Sequence, residues 1–144
     1  MMITIVEDQL EDAVAVSKKI SEFDQPFELE EYQIRLKNNH LILTALFHNK
    51  PVGFKIGYDR FEDGSFYSWM GGVLPEYRKK GIAKMLADYQ EKWAVENGYS
   101  AIRLKTRKKY KAMVAFSLKQ GFKILNKIPK IPDRESRIWM EKQV

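Results

Sequence analysis

The segment "GGVLPEYRKKGIAKMLADYQEKWAVEN", residues 71–97, constrains the fold more than any other, because a strand pattern ends near Leu74 and a helical one begins at Gly81. Ile82, Met85, Leu86, Tyr89 and Trp93 recur three and four apart on one stripe, and Asn97-Gly98 supplies a C-terminal stop. Ahead of it lie three strand-like runs: "LILTALFH" at 41–48, "PVGFKIGYDRF" at 51–61 and "SFYSWM" at 65–70. Asn49-Lys50 and "EDG" at 62–64 separate them as turns, which predicts an antiparallel meander. Another strand pattern, "YSAIRLKT" at 99–106, follows the helix. The helix must therefore return the chain as a right-handed crossover between neighbouring strands, which makes the sheet mixed.

The flanks complete the pattern. "MITIV" at 2–6 reads as a strand, and Leu10, Ala13, Val14, Ser17 and Ile20 have helical spacing behind an acidic first turn. A second helix is predicted from Phe27 to Leu36, with Leu29, Tyr32 and Leu36 on one face, and another from about Lys108 to Gln120, closed by Gly121. "FKILNKI" and "RIWMEK" are the last two strands. The expected fold is α/β of the α+β type: a mixed, mostly antiparallel sheet flanked by helices in the order β-α-α-β-β-β-α-β-α-β-β. With 144 residues and no low-complexity linker, residues 1–144 read as one domain.

Composition removes several kinds of chemistry. There is no cysteine and there are two histidines, so neither a disulfide framework nor a thiolate site is available, and no metal is expected. No apolar run approaches the ~18 residues of a membrane span, and the acidic N-terminal segment does not resemble a signal peptide. A soluble, cytoplasmic protein without a membrane partner is expected. Charge is divided unevenly. Residues 1–72 carry 7 Lys/Arg against 12 Asp/Glu and residues 73–144 carry 18 against 7, so −5 is followed by +11. Such a split suits either an anionic partner on the second half or a solvated basic face.

The strand-to-helix junction is where bare backbone and positive charge coincide. A helix starting at Gly81 leaves its first N–H groups without intrahelical partners, its dipole adds partial positive charge, and Gly81 has no side chain to block a close approach. Arg78, Lys79 and Lys80 add full charges. This arrangement suits a diphosphate. Neither GxxxxGK[ST] nor GxGxxG occurs, so a Walker loop and a dinucleotide fingerprint are excluded. What stands here is RxxGxA at 78–83, preceded by "VLPEY".

With those residues the chain resembles the GNAT superfamily of N-acetyltransferases, whose R/QxxGxG/A signature cradles the pyrophosphate of acetyl-CoA. "KAMVAFSLKQGF" at 111–122 resembles the family's next helix with its Gly-Phe ending, and the element order agrees over the whole chain. The resemblance implies that Arg78, Lys79, Lys80, Gly81, Ile82 and Ala83 present backbone N–H groups to the pyrophosphate, with Val73 and Leu74 beside the pantetheine. It also implies a bulge that splays the strand before the turn away from its neighbour. Gly71 and Gly72 fit such a bulge, or else mark an ordinary strand weakened by small residues.

The implied reaction is direct attack of a primary amine on the acetyl-CoA thioester in a ternary complex. It needs a neutral amine, an oxyanion donor and a proton for the departing thiolate. The resemblance places the oxyanion donor at backbone N–H near Leu74. Where the family often has a proton-donating Tyr, this chain has Ser117, a poor acid; Tyr110, two turns earlier, is either a polar contact or core. Tyr67 resembles in position a catalytic Glu of some members, although a phenol with pKa ~10 is a poor base at neutral pH. Glu28, Glu30, Glu31, Asp59 and Glu62 are open to an amine pocket or to plain solvation. The acidic first half mildly favours a cationic acceptor. "FYSWM" at 66–70 either walls an acceptor site or fills core, and "RLKTRKKYK" at 103–111 faces cofactor or solvent in preference to nucleic acid. A protein that holds coenzyme A without catalysis remains the alternative. A homodimer is also open, since dimers are frequent in the family.

Overall fold

A computed structural model describes residues 2–23 and 26–144. Along the chain come β1 (Thr4–Glu7), α1 (Leu10–Lys18), α2 (Leu29–Arg35), β2 (His40–Phe47), β3 (Lys50–Tyr58), β4 (Ser65–Val73), α3 (Ile82–Glu96), β5 (Ala101–Arg107), α4 (Lys111–Lys119), β6 (Lys123–Ile128) and β7 (Arg137–Gln143). This is the expected order of elements. The strands form one sheet in the spatial order β1-β2-β3-β4-β5-β7-β6, so β7 enters between β5 and β6. Every neighbouring pair is antiparallel except β4 and β5, which α3 connects as a crossover.

Strand alternation sends side chains to two cores. Phe54, Ile56, Tyr58 and Tyr67 pack with Ala13 and Val16 of α1, with Ile20 just past its end and with Tyr32 of α2. On the opposite face Leu43, Val52, Phe66 and Ile102 pack with Ile82, Leu86 and Ala94 of α3. Phe54 and Phe66 are fully buried, each contributing about 1.5–3 kcal/mol relative to exposure. The β2–β3 hairpin closes through His48 and Asn49, one residue earlier than the expected Asn49-Lys50, because Lys50 of β3 already pairs with Phe47 of β2; both turn residues have positive φ, which matches the twist of the strands.

Three elements differ from expectation for identifiable reasons. β1 starts at Thr4, because its pairing with β2 begins at Thr4↔Leu46. α2 is shorter than the apolar spacing suggests, and Phe27 packs from outside it, edge-on to Tyr32. α4 begins at Lys111 because the preceding backbone is engaged elsewhere: Lys108 N–H donates to Ser136 O at 2.8 Å and Lys109 N–H to Arg134 O at 2.9 Å.

The bulge also lies elsewhere than the glycine pair suggested. Gly71 and Gly72 pair regularly with Lys55 and Phe54, and the register slips between Ile56↔Met70 and Gly57↔Ser68, leaving Trp69 as the extra residue. Gly57 is what admits the slip. A Cβ there would lie 2.4 Å from the Phe66 ring and 2.6 Å from the Tyr67 carbonyl oxygen, which is backbone and cannot rotate aside. Gly57→Ala is expected to destabilise the protein by about 1–3 kcal/mol in urea unfolding, the usual cost of overpacking; an unchanged midpoint would contradict this reading of the bulge.

Candidate functional site

β4 and β5 run side by side for only three pairs, Ser65↔Ala101, Phe66↔Ile102 and Tyr67↔Arg103, and then separate. Beyond Tyr67 the β5-facing edge of β4 has no strand partner. Hydrogen-bonded and non-bonded pairs alternate along an antiparallel ladder. Leu74 N–H donates to Val52 O at 2.8 Å, so Gly72 and Met70, opposite Phe54 and Ile56, face β3 as well. The N–H and C=O groups of Gly71 and Val73 consequently point into the gap. This moves the expected oxyanion donor: Leu74 N–H is taken, and the free donors on that edge belong to Gly71 and Val73.

At the far end of the gap the chain turns into α3. Lys79 has φ 61° and Gly81 φ 82°, two left-handed residues that redirect the backbone into the helix. Arg78 N–H donates to Pro75 O and Met85 N–H to Gly81 O, while the amides of residues 79–84 between them have no backbone acceptor among the described residues. A Cβ on Gly81 would meet nothing within 4 Å, so the space in front of these amides is open. Lys79, Lys80 and Ala83 are exposed, whereas the Ile82 side chain is in the core.

The Arg78 side chain is not free, as its sequence position had suggested. Its Nε donates to Val73 O at 3.0 Å and its terminal nitrogens grip Glu22 at 2.6 and 3.2 Å, which holds the Glu22 carboxyl below its usual range. Both partners are about 40% exposed (39% and 42%), so the pair is worth at most ~1 kcal/mol and keeps Arg78 at the turn without locking it there.

On the α3/α4 face the gap opens onto a cavity lined by Lys55, Gln90, Leu104, Met113, Phe116 and Ser117 among others. Lys55 is the residue that sequence reading missed; its signal was a single lysine within the apolar strand run "PVGFKIGY". A methyl group on Gly71 would lie 3.7 Å from Lys55 Nζ, so the ammonium stands beside the open edge of β4. Burial pulls its pKa down to about 8. Gln90 Nε2 is buried without a hydrogen-bond partner, and Ser117 Oγ, also buried, has only Met113 Sδ at 3.8 Å. The cavity thus holds donors that lack acceptors.

Tyr110 and Tyr67 are not part of that group. Tyr110 OH donates to Glu22 O at 2.8 Å, so it is a polar contact fastening residue 22 near the turn. Tyr67 is buried among Tyr58, Phe61 and Trp139, and burial raises its pKa further, away from any use as a base. Three of the five suggested acids are engaged elsewhere: Glu28 pairs with Lys18, Glu31 with Arg35, and Asp59 accepts from Tyr99 OH and Glu62 N–H; the Glu30 and Glu62 side chains are exposed. Arg103, Lys105 and Arg107 lie on the face opposite α3, where Arg103 binds Asp63 and Glu141.

A family model for the acetyltransferase (GNAT) family matches residues 5–122. The chain belongs to the GNAT acetyltransferase family. Solved structures agree in fold over the full length. The ribosomal-protein-S18-alanine N-acetyltransferase of Escherichia coli superposes with TM-score 0.85 at 18% identity, covering 99% of this chain and 94% of that one. An aminoglycoside 6′-N-acetyltransferase complexed with coenzyme A gives 0.80 at 18% (99% and 97%), and yncA of Salmonella typhimurium with acetyl-CoA gives 0.79 at 17% (98% and 93%). Among the described residues of this GNAT chain no group of three His, Asp or Glu could hold a metal ion, and no helix is long and apolar enough to cross a membrane.

Lys55 has a consequence for stability. Its pKa of about 8 in the folded chain lies below the ordinary 10.5, so the unfolded chain binds the proton more tightly between those values and stability rises with pH through that window. Below pH 8 the buried charge is a full penalty. Lys55→Met is expected to stabilise the protein by about 1–3 kcal/mol at pH 7, with the gain shrinking from pH 8 to 10.5. Urea unfolding across pH checks this, and a pH-independent difference would contradict it.

Proposed function

We propose that this chain is an N-acetyltransferase that acts as one domain and moves an acetyl group from acetyl-CoA to a primary amine by direct attack. The observation that carries the reading is the continuity of two unsatisfied surfaces. On the open edge of β4 the Gly71 and Val73 N–H groups are free of strand pairing, with Val73 O alone taken by Arg78 Nε, and the edge leads toward the amides of residues 79–84, which have no backbone acceptor among the described residues. An extended arm with amide groups suits the first, and a diphosphate the second, where the α3 dipole and Lys79 and Lys80 add positive charge. Arg78, Lys79, Lys80, Gly81, Ile82 and Ala83 are thus the proposed pyrophosphate cradle, with Val73 and Leu74 at the pantetheine.

Acetyl-CoA supplies the acetyl group as a thioester, whose carbonyl oxygen needs a donor as charge builds on it. Gly71 N–H is unpaired and suited to that task. Lys55 Nζ holds a proton in the same cavity as Ser117, and its pKa of about 8 is close to that of an ordinary thiol, ~8.5, so it is better matched to a departing thiolate than the serine hydroxyl is. The Ser117 position, which lacks a phenol, supports the second reading, a protein that binds coenzyme A without transfer.

Thermal unfolding with saturating acetyl-CoA tests the first claim. Ligand at 100 times Kd stabilises by about 2.7 kcal/mol, a clear shift in midpoint. Gly81→Asp places a carboxylate in the open space before the amides, and at φ 82° it adds backbone strain of order 1 kcal/mol. The variant is expected to fold and to lose the shift; the same shift in both proteins would sink the assignment. Thiol release with an amine panel then separates enzyme from binder.

A further inference from the structure

The α1/α2 face of the same gap carries a second constellation. Tyr67, Trp69 and Trp139 form an aromatic floor with Tyr58 and Phe61 packed against it. Cations stand over these rings. Arg60 lies 4.9 Å from the centroid of Tyr67 and 5.7 Å from that of Trp139, Lys105 Nζ lies 5.3 Å from Trp139, and Arg35 lies 5.1 Å from Trp69. The floor borders the open edge of β4. Lys105 is two residues beyond the last β4–β5 pair, Tyr67↔Arg103, and Trp69 is the bulge residue opposite it across the gap.

Charge on this face is unbalanced. Glu141 and Asp63 are held by Arg103, Glu135 by Arg107 and Lys109, and Glu31 by Arg35. Arg60 and Lys105 pair with no carboxylate among the described residues, and both are exposed. Partial burial, and then the charges of Arg60, Arg137, Arg35 and Arg107, hold the Lys105 ammonium below its usual range. Those charges oppose one another, so a bound anion would relieve the repulsion. The geometry does not suit a polyamine or a lysine side chain, whose further positive charge would meet Arg60 and Lys105.

We propose that the acceptor is an amine that also carries a carboxylate, with its body against the partly exposed Trp69 and Trp139 rings, backed by buried Tyr67, and its carboxylate at Arg60 and Lys105. This rests on the acetyltransferase reading and reverses the cationic acceptor that the acidic first half had favoured. The attacking amine must be neutral, and a cationic surround lowers the pKa of a bound ammonium, so the same residues that hold the carboxylate also favour the reactive form of the nitrogen. Transfer then forms a C–N bond and breaks the C–S bond; the neutral amine gives up one proton and the departing sulfur takes up one, leaving an amide and a thiol.

The test uses product analogues, so it does not depend on turnover. Binding of N-acetylphenylalanine and N-acetylphenylalaninamide is measured by calorimetry on the full chain, with and without coenzyme A. The acid is expected to bind at least about tenfold more tightly than the amide. N-acetylaspartylphenylalaninamide distinguishes a free amino acid from an acidic peptide as the carboxylate's source, and preference for either over the uncharged amide supports the proposal. Arg60→Gln with Lys105→Gln is expected to erase the preference, while the charge-keeping pair Arg60→Lys with Lys105→Arg retains it. Equal or tighter binding of the amide, no binding of any acid at millimolar concentration, or a preference that survives both glutamines would overturn the proposal. The coenzyme A shift is recorded in the same samples. Its absence contradicts the acetyltransferase reading, whereas its presence with equal binding of acid and amide contradicts only the assignment of the acceptor.

Discussion

The structure depends on a parting of two strands. β4 and β5 share three residue pairs and then diverge, so one edge of β4 inside the sheet keeps its Gly71 and Val73 N–H groups without a strand partner, while Val73 O is taken by Arg78. An unpaired buried donor or acceptor costs about 1–3 kcal/mol, and a fold tolerates several in a row only where something else occupies the place of a strand. The bulge at Trp69, made sterically feasible by Gly57, helps turn β4 away from β5. The left-handed residues at 79 and 81 then aim the start of α3 at the end of the same gap. Backbone geometry thus prepares the donor side, and side-chain identity contributes little to it.

The two faces of the gap differ in what they offer. Toward α3 and α4 lie Lys55 and Gln90, donors without acceptors among the described residues, lining one cavity. Toward α1 and α2 lie rings under the Arg60 guanidinium and the Lys105 ammonium, which have no carboxylate partner among the described residues. The first suits an electron-rich leaving group and the second an acceptor with negative charge.

Much of this was legible in the sequence where local signals add up. The helix stripe of Ile82, Leu86 and Trp93 with its Asn-Gly stop, the β2–β3 hairpin to within one residue of its turn, and the open space at Gly81 all follow from short-range pattern. Features set by distant partners were not legible. The bulge falls at Trp69 because register is decided by β3, and a glycine pair in β4 gave no such information. Glu22 captures Arg78 from 56 residues away, and Ser136 and Arg134 delay the start of α4. The surroundings of individual charges were likewise not legible: Glu28, Glu31 and Asp59 are engaged by Lys18, Arg35 and Tyr99, while Arg60 and Lys105 both stand over the Trp139 ring.

Amide hydrogen exchange resolved to single residues tests the central claim most directly, because the claim concerns particular N–H groups. Saturating acetyl-CoA is predicted to slow exchange at Gly71, Val73 and residues 79–84 by about tenfold or more, with Leu74 N–H already protected by Val52 before ligand is added. Binding that leaves those amides exchanging freely, or that protects the Arg60 and Lys105 face instead, would contradict the account.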